Sequence, residues 1–173
     1  MSHNERPPVI SVVGKSGVGK TTALERIIRE FKRRGYRLGT VKHDTHGFEV
    51  DKPGKDSWRH TQAGSDTAVI AGPQKMALIR QLDQEMTLDE IVPLMGDVEI
   101  VLTEGFKRGD KPKIEVSRRE RGTGLLCQAE ELVAILTDYA IDMPVPQFAL
   151  EDAGGIVDLL EDLFLKHKRE VKK

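Results

Sequence analysis

Gly14-Lys15-Ser16-Gly17-Val18-Gly19-Lys20-Thr21 is the stretch on which the fold turns. It fits the phosphate-loop pattern G-x-x-x-x-G-K-[ST] at every fixed position. The run before it, Pro8-Val9-Ile10-Ser11-Val12-Val13, is short, apolar and β-branched, as a buried strand should be. After it, Leu24, Ile27, Ile28 and Phe31 recur at helical spacing. Strand, glycine loop and helix form the context in which this pattern has a mechanism. Glycines let successive backbone N–H groups curl around an anion with no Cβ in the way. The following helix aims the positive end of its dipole at the same point. Lys20 is expected to reach the β- and γ-phosphates and so to act in catalysis, and the Thr21 hydroxyl to ligate Mg2+. Lys15, Ser16, Gly17, Val18, Gly19 and Thr22 complete the expected nucleotide-binding set. Lys15 has two readings: a reach to a phosphate across a dimer interface, or a solvated loop lysine.

The chain has 173 residues, expected to form one domain over 1–173 with a real core. Its 38% hydrophobic and 32% charged content is that of a soluble globular protein. A net charge of −1 supplies no global attraction to nucleic acid or to an anionic membrane. One cysteine, Cys127, excludes an internal disulfide and fits a reducing, cytoplasmic setting. Residues 1–8 lack the apolar centre of a signal peptide, and no apolar run approaches the ~20 residues that span a bilayer. The tail Lys166–Lys173 is basic and reads as a helix end whose cations suit the negative end of the dipole.

Along the chain, Arg33-Arg34-Gly35 stops the first helix, and Tyr36–Lys42 reads as a second strand. Residues 43–55 are polar and irregular, and loops of that length in compact domains usually carry function. Residues 56–63 read as a short helix capped by Asp56 or Ser57 and stopped at Gly64. Thr67–Ala71 and Met76–Arg80 read as a hairpin across Gly72-Pro73-Gln74-Lys75. Leu88–Leu94 reads as a short helix; Val98–Thr103, Lys113–Ser117 and Leu132–Thr137 as strands; and a last helix starts near Asp152. The alternation predicts an α/β fold of the P-loop NTPase type. Its sheet is mostly parallel, flanked by helices on both faces, with an antiparallel hairpin added. Ligands in such sheets sit beyond the carboxyl ends of the strands.

A phosphate loop needs a carboxylate near its metal. Glu104 is the first charged residue to emerge at the end of Val98–Thr103, and takes the place where Asp is commoner. Gly105 beside it is expected to bring a backbone N–H near the γ-phosphate. Asp44 and Asp51 in the 43–55 loop are candidates for holding Mg2+ or for orienting the attacking water. Asp138, after the strand ending in Thr137, has two readings. It accepts from the guanine N1–H and N2–H groups, or it caps the next turn.

Taken in order, several segments together resemble the MobB family, molybdopterin-guanine dinucleotide biosynthesis protein B. They are Gly14-x-Ser16-Gly17-x-Gly19-Lys20-Thr21-Thr22, Val41-Lys42-His43, Asp51-x-Pro53-Gly54-Lys55-Asp56-Ser57, Ala63-Gly64 and Thr103-Glu104-Gly105-Phe106-Lys107. The resemblance covers residues 8–117 and is looser beyond. It implies a cytoplasmic, homodimeric GTP-binding protein of the SIMIBI type with weak GTPase activity and Mg2+ beside Glu104. It also implies a partner guanylyltransferase that joins GMP to molybdopterin, with molybdopterin itself a candidate ligand. The chain lacks the Asn-Lys-x-Asp segment of many GTP readers, so its guanine preference rests on the resemblance.

Two other functions fit the same loop. A small-molecule kinase would use Arg118-Arg119-Glu120-Arg121-Gly122 as an arginine lid and would release a phosphorylated acceptor. A non-catalytic binding module would hold nucleotide only to stabilise a complex.

Overall fold

The computed structural model describes residues 6–45 and 47–166; most of the basic tail, residues 167–173, lies outside them. In chain order the elements are β1 (Val9–Val13), α1 (Lys20–Arg33), β2 (Leu38–Lys42), α2 (Asp56–Gln62), β3 (Thr67–Ala71), β4 (Met76–Arg80), α3 (Leu88–Ile91), β5 (Ile100–Glu104), β6 (Lys113–Ser117), β7 (Leu132–Thr137), β8 (Gln147–Ala149) and α4 (Ala153–Leu160). They fall into two compact units. One holds the chain up to His43 and from Val92 onward; the other is Asp44–Ile91.

The first unit is built on a sheet of order β2-β5-β1-β6-β7-β8, parallel at every pairing. Strand periodicity sorts its residues cleanly between two faces. Ile10 and Val12, Ile100 and Leu102, Ile114 and Val116, and Ala134 and Leu136 join one core with Ala23, Leu24, Ile27 and Phe31 of α1 and Ile156, Val157 and Leu160 of α4. Phe31, Ile27 and Ile156 are almost wholly shielded. Burying a side chain of this size contributes about 1.5–3 kcal/mol.

The opposite face is covered by the connections after β6 and β7, the first of which contains short 3-10 turns. Val13, Leu132 and Ile135 pack there against Cys127 and Val145. This face also buries polar groups, each with a partner. The Thr103 hydroxyl donates to Ser11 Oγ at 2.9 Å. Lys113 Nζ donates to Glu131 Oε1 at 2.9 Å and to the Gly109 carbonyl at 2.7 Å. Glu115 accepts from the N–H groups of Leu126 and Cys127 at 2.7 and 3.1 Å. Irregular chain laid over a sheet brings backbone amides that need acceptors, and Glu115 supplies them.

β2 and β8 differ from the sequence reading. Tyr36 folds back on the end of α1: its N–H donates to the Phe31 carbonyl at 3.1 Å and its ring meets Phe31 edge-on. β2 therefore starts at Leu38. β8, which the sequence reading does not contain, extends the sheet beyond β7. α4 starts, as expected, from Asp152, whose Oδ1 accepts from Gly155 N at 2.8 Å.

The second unit contains α2 and the expected hairpin, with Thr67 opposite Arg80 and Ala71 opposite Met76. The turn closes through Gly72 N to the Lys75 carbonyl at 2.9 Å. Neither Asp56 nor Ser57 caps α2. The N-cap position is Lys55, because the Pro53-Gly54 turn returns Lys55 N to the Lys52 carbonyl at 3.1 Å and starts the helix there.

Candidate phosphate-binding site

The site stands at the carboxyl ends of β5, β1, β6 and β7. Between β1 and α1 the chain turns through Gly14, Gly17 and Gly19, with φ of 145°, 70° and 97°. These angles suit glycine and strain other residues. A Cβ at Gly14 would also collide with the carbonyl oxygen of Val116 on β6. The loop passes so close to the sheet that no larger residue fits.

Val18 points its side chain into the core, which anchors the middle of the loop. Ser16 and Gly17 are exposed. Lys20 is the first residue of α1, and its Nζ donates to the carbonyls of Gly14 and Lys15 at 3.2 and 2.9 Å. The ammonium thus lies across the mouth of the loop. Thr21 and Thr22 occupy the exposed first turn of α1.

The parallel pairing of β1 with β5 sets Val12 opposite Glu104. That register brings the second expected metal residue to the first. Thr21 Oγ1 donates to Glu104 Oε1 and Oε2 at 2.9 and 3.0 Å, although 83 positions separate the two in sequence. A hydroxyl and a carboxylate meeting beside a lysine at a helix start are a hard-oxygen donor set of the kind Mg2+ takes.

Gly105 follows in a left-handed conformation, φ 102°, and its N–H donates to the Val12 carbonyl at 3.1 Å. The sheet therefore uses the amide that the sequence reading assigned to phosphate. Phe106 is also left-handed, φ 54°, a costly conformation for an aromatic residue. Its ring stacks on His43 at 4.5 Å between centroids.

Asp44 and Asp51 lie in the second unit. There Asp51 Oδ1 accepts from Lys52 N at 2.9 Å and from Ser57 Oγ at 3.0 Å, tying the loop to the start of α2. Asp138 is exposed after β7, and its Oδ1 accepts from Arg119 N at 2.9 Å.

Lys15 reaches the segment that follows β6, with Nζ 3.2 Å from the Gly122 carbonyl and 3.5 Å from that of Arg121. The same segment sets two guanidinium groups against the loop. A Cβ at Gly17 would stand 3.5 Å from Cζ of Arg121, and one at Gly19 would stand 3.7 Å from Nε of Arg118. From the sequence alone these arginines fit only a kinase lid. Their signal was the cluster Arg118-Arg119-x-Arg121; their address depended on β6 pairing beside β1.

Comparison with known proteins finds relatives of this chain. Residues 9–138 match the family described as "Molybdopterin guanine dinucleotide synthesis protein B". The chain is 33% identical over 161 residues to the molybdopterin-guanine dinucleotide biosynthesis adapter protein of Haemophilus influenzae, covering 92% of this chain and 90% of that one. It is 31% identical over 169 residues to the adapter protein of the same description from Escherichia coli, covering 92% and 94%. In three dimensions it resembles the crystal structure of Bacillus subtilis MobB with a TM-score of 0.70 and 28% identity, over 91% of this chain and 98% of that one.

Proposed function

The chain belongs to the molybdopterin guanine dinucleotide synthesis protein B family, and from that premise we propose that it is a GTP-binding adapter in molybdopterin guanine dinucleotide assembly, with slow, Mg2+-dependent GTP hydrolysis. The observation that carries the nucleotide part is the meeting of Thr21 and Glu104 beside Lys20 at the start of α1. Backbone N–H groups of the glycine loop would hold the phosphate chain, with Lys20 exchanging its two loop carbonyls for β- and γ-phosphate oxygens. Thr21 and Glu104 would hold Mg2+, which when bound neutralises charge on the β- and γ-phosphates. The guanine preference rests on the family. Slow turnover fits a candidate carboxylate, Asp51, that is already bonded within its own loop.

The adapter role in this reading takes a guanylyltransferase of the same pathway as partner, with molybdopterin as a candidate ligand and the cytoplasm as the setting. A homodimer is supported by the exposed apolar side chains of the hairpin, Val69, Ile70, Met76 and Leu78. Among the described residues no helix is long and apolar enough to cross a membrane.

Titration calorimetry with GTP and with ATP, each with and without Mg2+, tests the reading. We expect tighter binding of GTP, loss of triphosphate binding in Lys20→Ala, and a reduced Mg2+ dependence in Glu104→Gln. Wild-type affinity in Lys20→Ala would overturn the phosphate-loop assignment. Equal affinity for ATP together with a phosphorylated acceptor would make the chain a kinase.

A further inference from the structure

We propose that Arg118 and Arg121 are ligands to the phosphate chain of the nucleotide, supplied in cis by the connection after β6, and that Asp138 and Tyr139 are positioning residues that hold that connection in place. The proposal rests on the nucleotide reading above and adds to it two cations that the phosphate-loop pattern does not contain.

The geometry begins with the glycines. Gly17 and Gly19 leave open the space into which Arg121 and Arg118 project; a side chain at either place would enter van der Waals contact with a guanidinium. Each guanidinium has a long ion pair to Glu120 and, among the described residues, no side-chain hydrogen bond. Nε of Arg118 is buried and has no hydrogen-bond partner. Glu120 stands between the two, 3.9 Å from Nη1 of Arg118 and 4.0 Å from Nε of Arg121, too far to accept a hydrogen bond from either. A buried donor without an acceptor is costly, and sites keep such donors where a ligand will meet them. Here the neighbouring feature is a loop shaped for phosphate. Guanidinium offers planar, paired donors that match phosphate oxygens, and unlike an ammonium it keeps its charge when desolvated.

The turn that carries the arginines is held from behind. Asp138 Oδ1 accepts from Arg119 N at 2.9 Å. The Arg119 guanidinium lies over the Tyr139 ring, 5.4 Å from its centroid. The Tyr139 hydroxyl bonds Ser117 Oγ at 2.7 Å and donates to the Thr123 carbonyl at 3.1 Å, so one ring spans both ends of the turn. Lys15 ties the turn to the loop through the Arg121 and Gly122 carbonyls. An arginine pair fixed in this way need not be ordered when phosphate arrives. Asp138 in this arrangement serves the turn.

The test is calorimetry on the full chain with two probes, GTP·Mg2+ and inorganic tripolyphosphate, beside Lys20→Ala as reference. Arg118→Ala and Arg121→Ala should each weaken both probes about 10- to 100-fold. The matching lysine variants should recover part of the loss. Melting temperatures without nucleotide should stay at the wild-type value, and the lysine variants keep the test valid if an alanine variant folds poorly. Asp138→Ala should weaken both probes by the same factor, and Asp138→Asn, which keeps an acceptor for Arg119 N, should restore them. Unchanged affinity in both arginine variants, with binding lost in Lys20→Ala, would overturn this proposal and leave the phosphate-loop reading standing. Loss for GTP alone, with tripolyphosphate unaffected, would move the arginines or Asp138 to the base or ribose and overturn the phosphate assignment. A wild-type chain that binds neither probe would overturn both readings.

Discussion

Among single residues, Cys127 shows how one face of the sheet handles polar chemistry. Burial first, and then the nearby Glu115 carboxylate, push its thiol up to about 11. The raised value keeps the thiol protonated and unreactive near neutral pH. The sign of the linkage follows: this contribution to stability is fully present below the ordinary thiol value of 9.0 and is lost as pH rises through about 11. Maleimide should therefore leave the native protein unlabelled at pH 7 and label it fully once it is unfolded. Equal labelling rates for the two forms would show that the covering connection does not shield the thiol. Phe106 shows the opposite economy, since its left-handed backbone is held next to Glu104 and its ring is stacked on His43.

At the level of elements, α1 and α4 are clamped by Arg34. Its Nε donates to Glu30 Oε1 at 2.7 Å, its Nη1 to Asp158 Oδ1 at 2.6 Å and Glu161 Oε2 at 2.9 Å, and its Nη2 to the Gly154 carbonyl at 3.2 Å. Arg33 and then Arg34 hold the Glu30 carboxyl down to about 2 by hydrogen bonding. Its stabilising effect is thus present above the usual 4.5 and disappears as pH falls toward 2. Arg34→Met should lower the melting temperature at pH 7, because Glu30 and Glu161 lose their shared donor. It should also flatten the acid limb below pH 4.5; an acid limb as steep as in the parent would clear the clamp of that role. The elements also show what a linear reading can reach. β3, β4, β6 and β7 stand where their residues predict, because β3, β4 and β7 are mostly apolar runs and β6 alternates Ile114 and Val116 with polar residues. Glu104 was legible as the charge that ends such a run. β8 is three residues long, too short to carry a period. The arginines and Asp138 were visible as residues but not as neighbours of the loop and of each other. Their meeting depends on β1 pairing with β6 and β6 with β7, which no local pattern encodes. The Gly105 amide went to the sheet because a parallel ladder claims the N–H groups at its own edge before a ligand does.

For the molecule as a whole, the phosphate loop, Glu104 and both arginines belong to one unit, while Asp44–Ile91 forms the other. GTP with Mg2+ at a free concentration about 100-fold above its Kd should stabilise the fold that binds it by about 2.7 kcal/mol. The aromatic residues make that gain visible separately in each unit. The single tryptophan, Trp58, is in α2 of the second unit, whereas the two tyrosines, Tyr36 and Tyr139, are in the first. Selectively excited tryptophan emission follows one unit during heating, and tyrosine near-ultraviolet absorbance follows the other. Nucleotide should raise the tyrosine midpoint. If the emission midpoint rises with it, the chain melts as one cooperative body. If emission stays where it was, the units melt independently. The placement of three aromatic rings thus gives this chain a built-in two-colour thermometer, readable without any label.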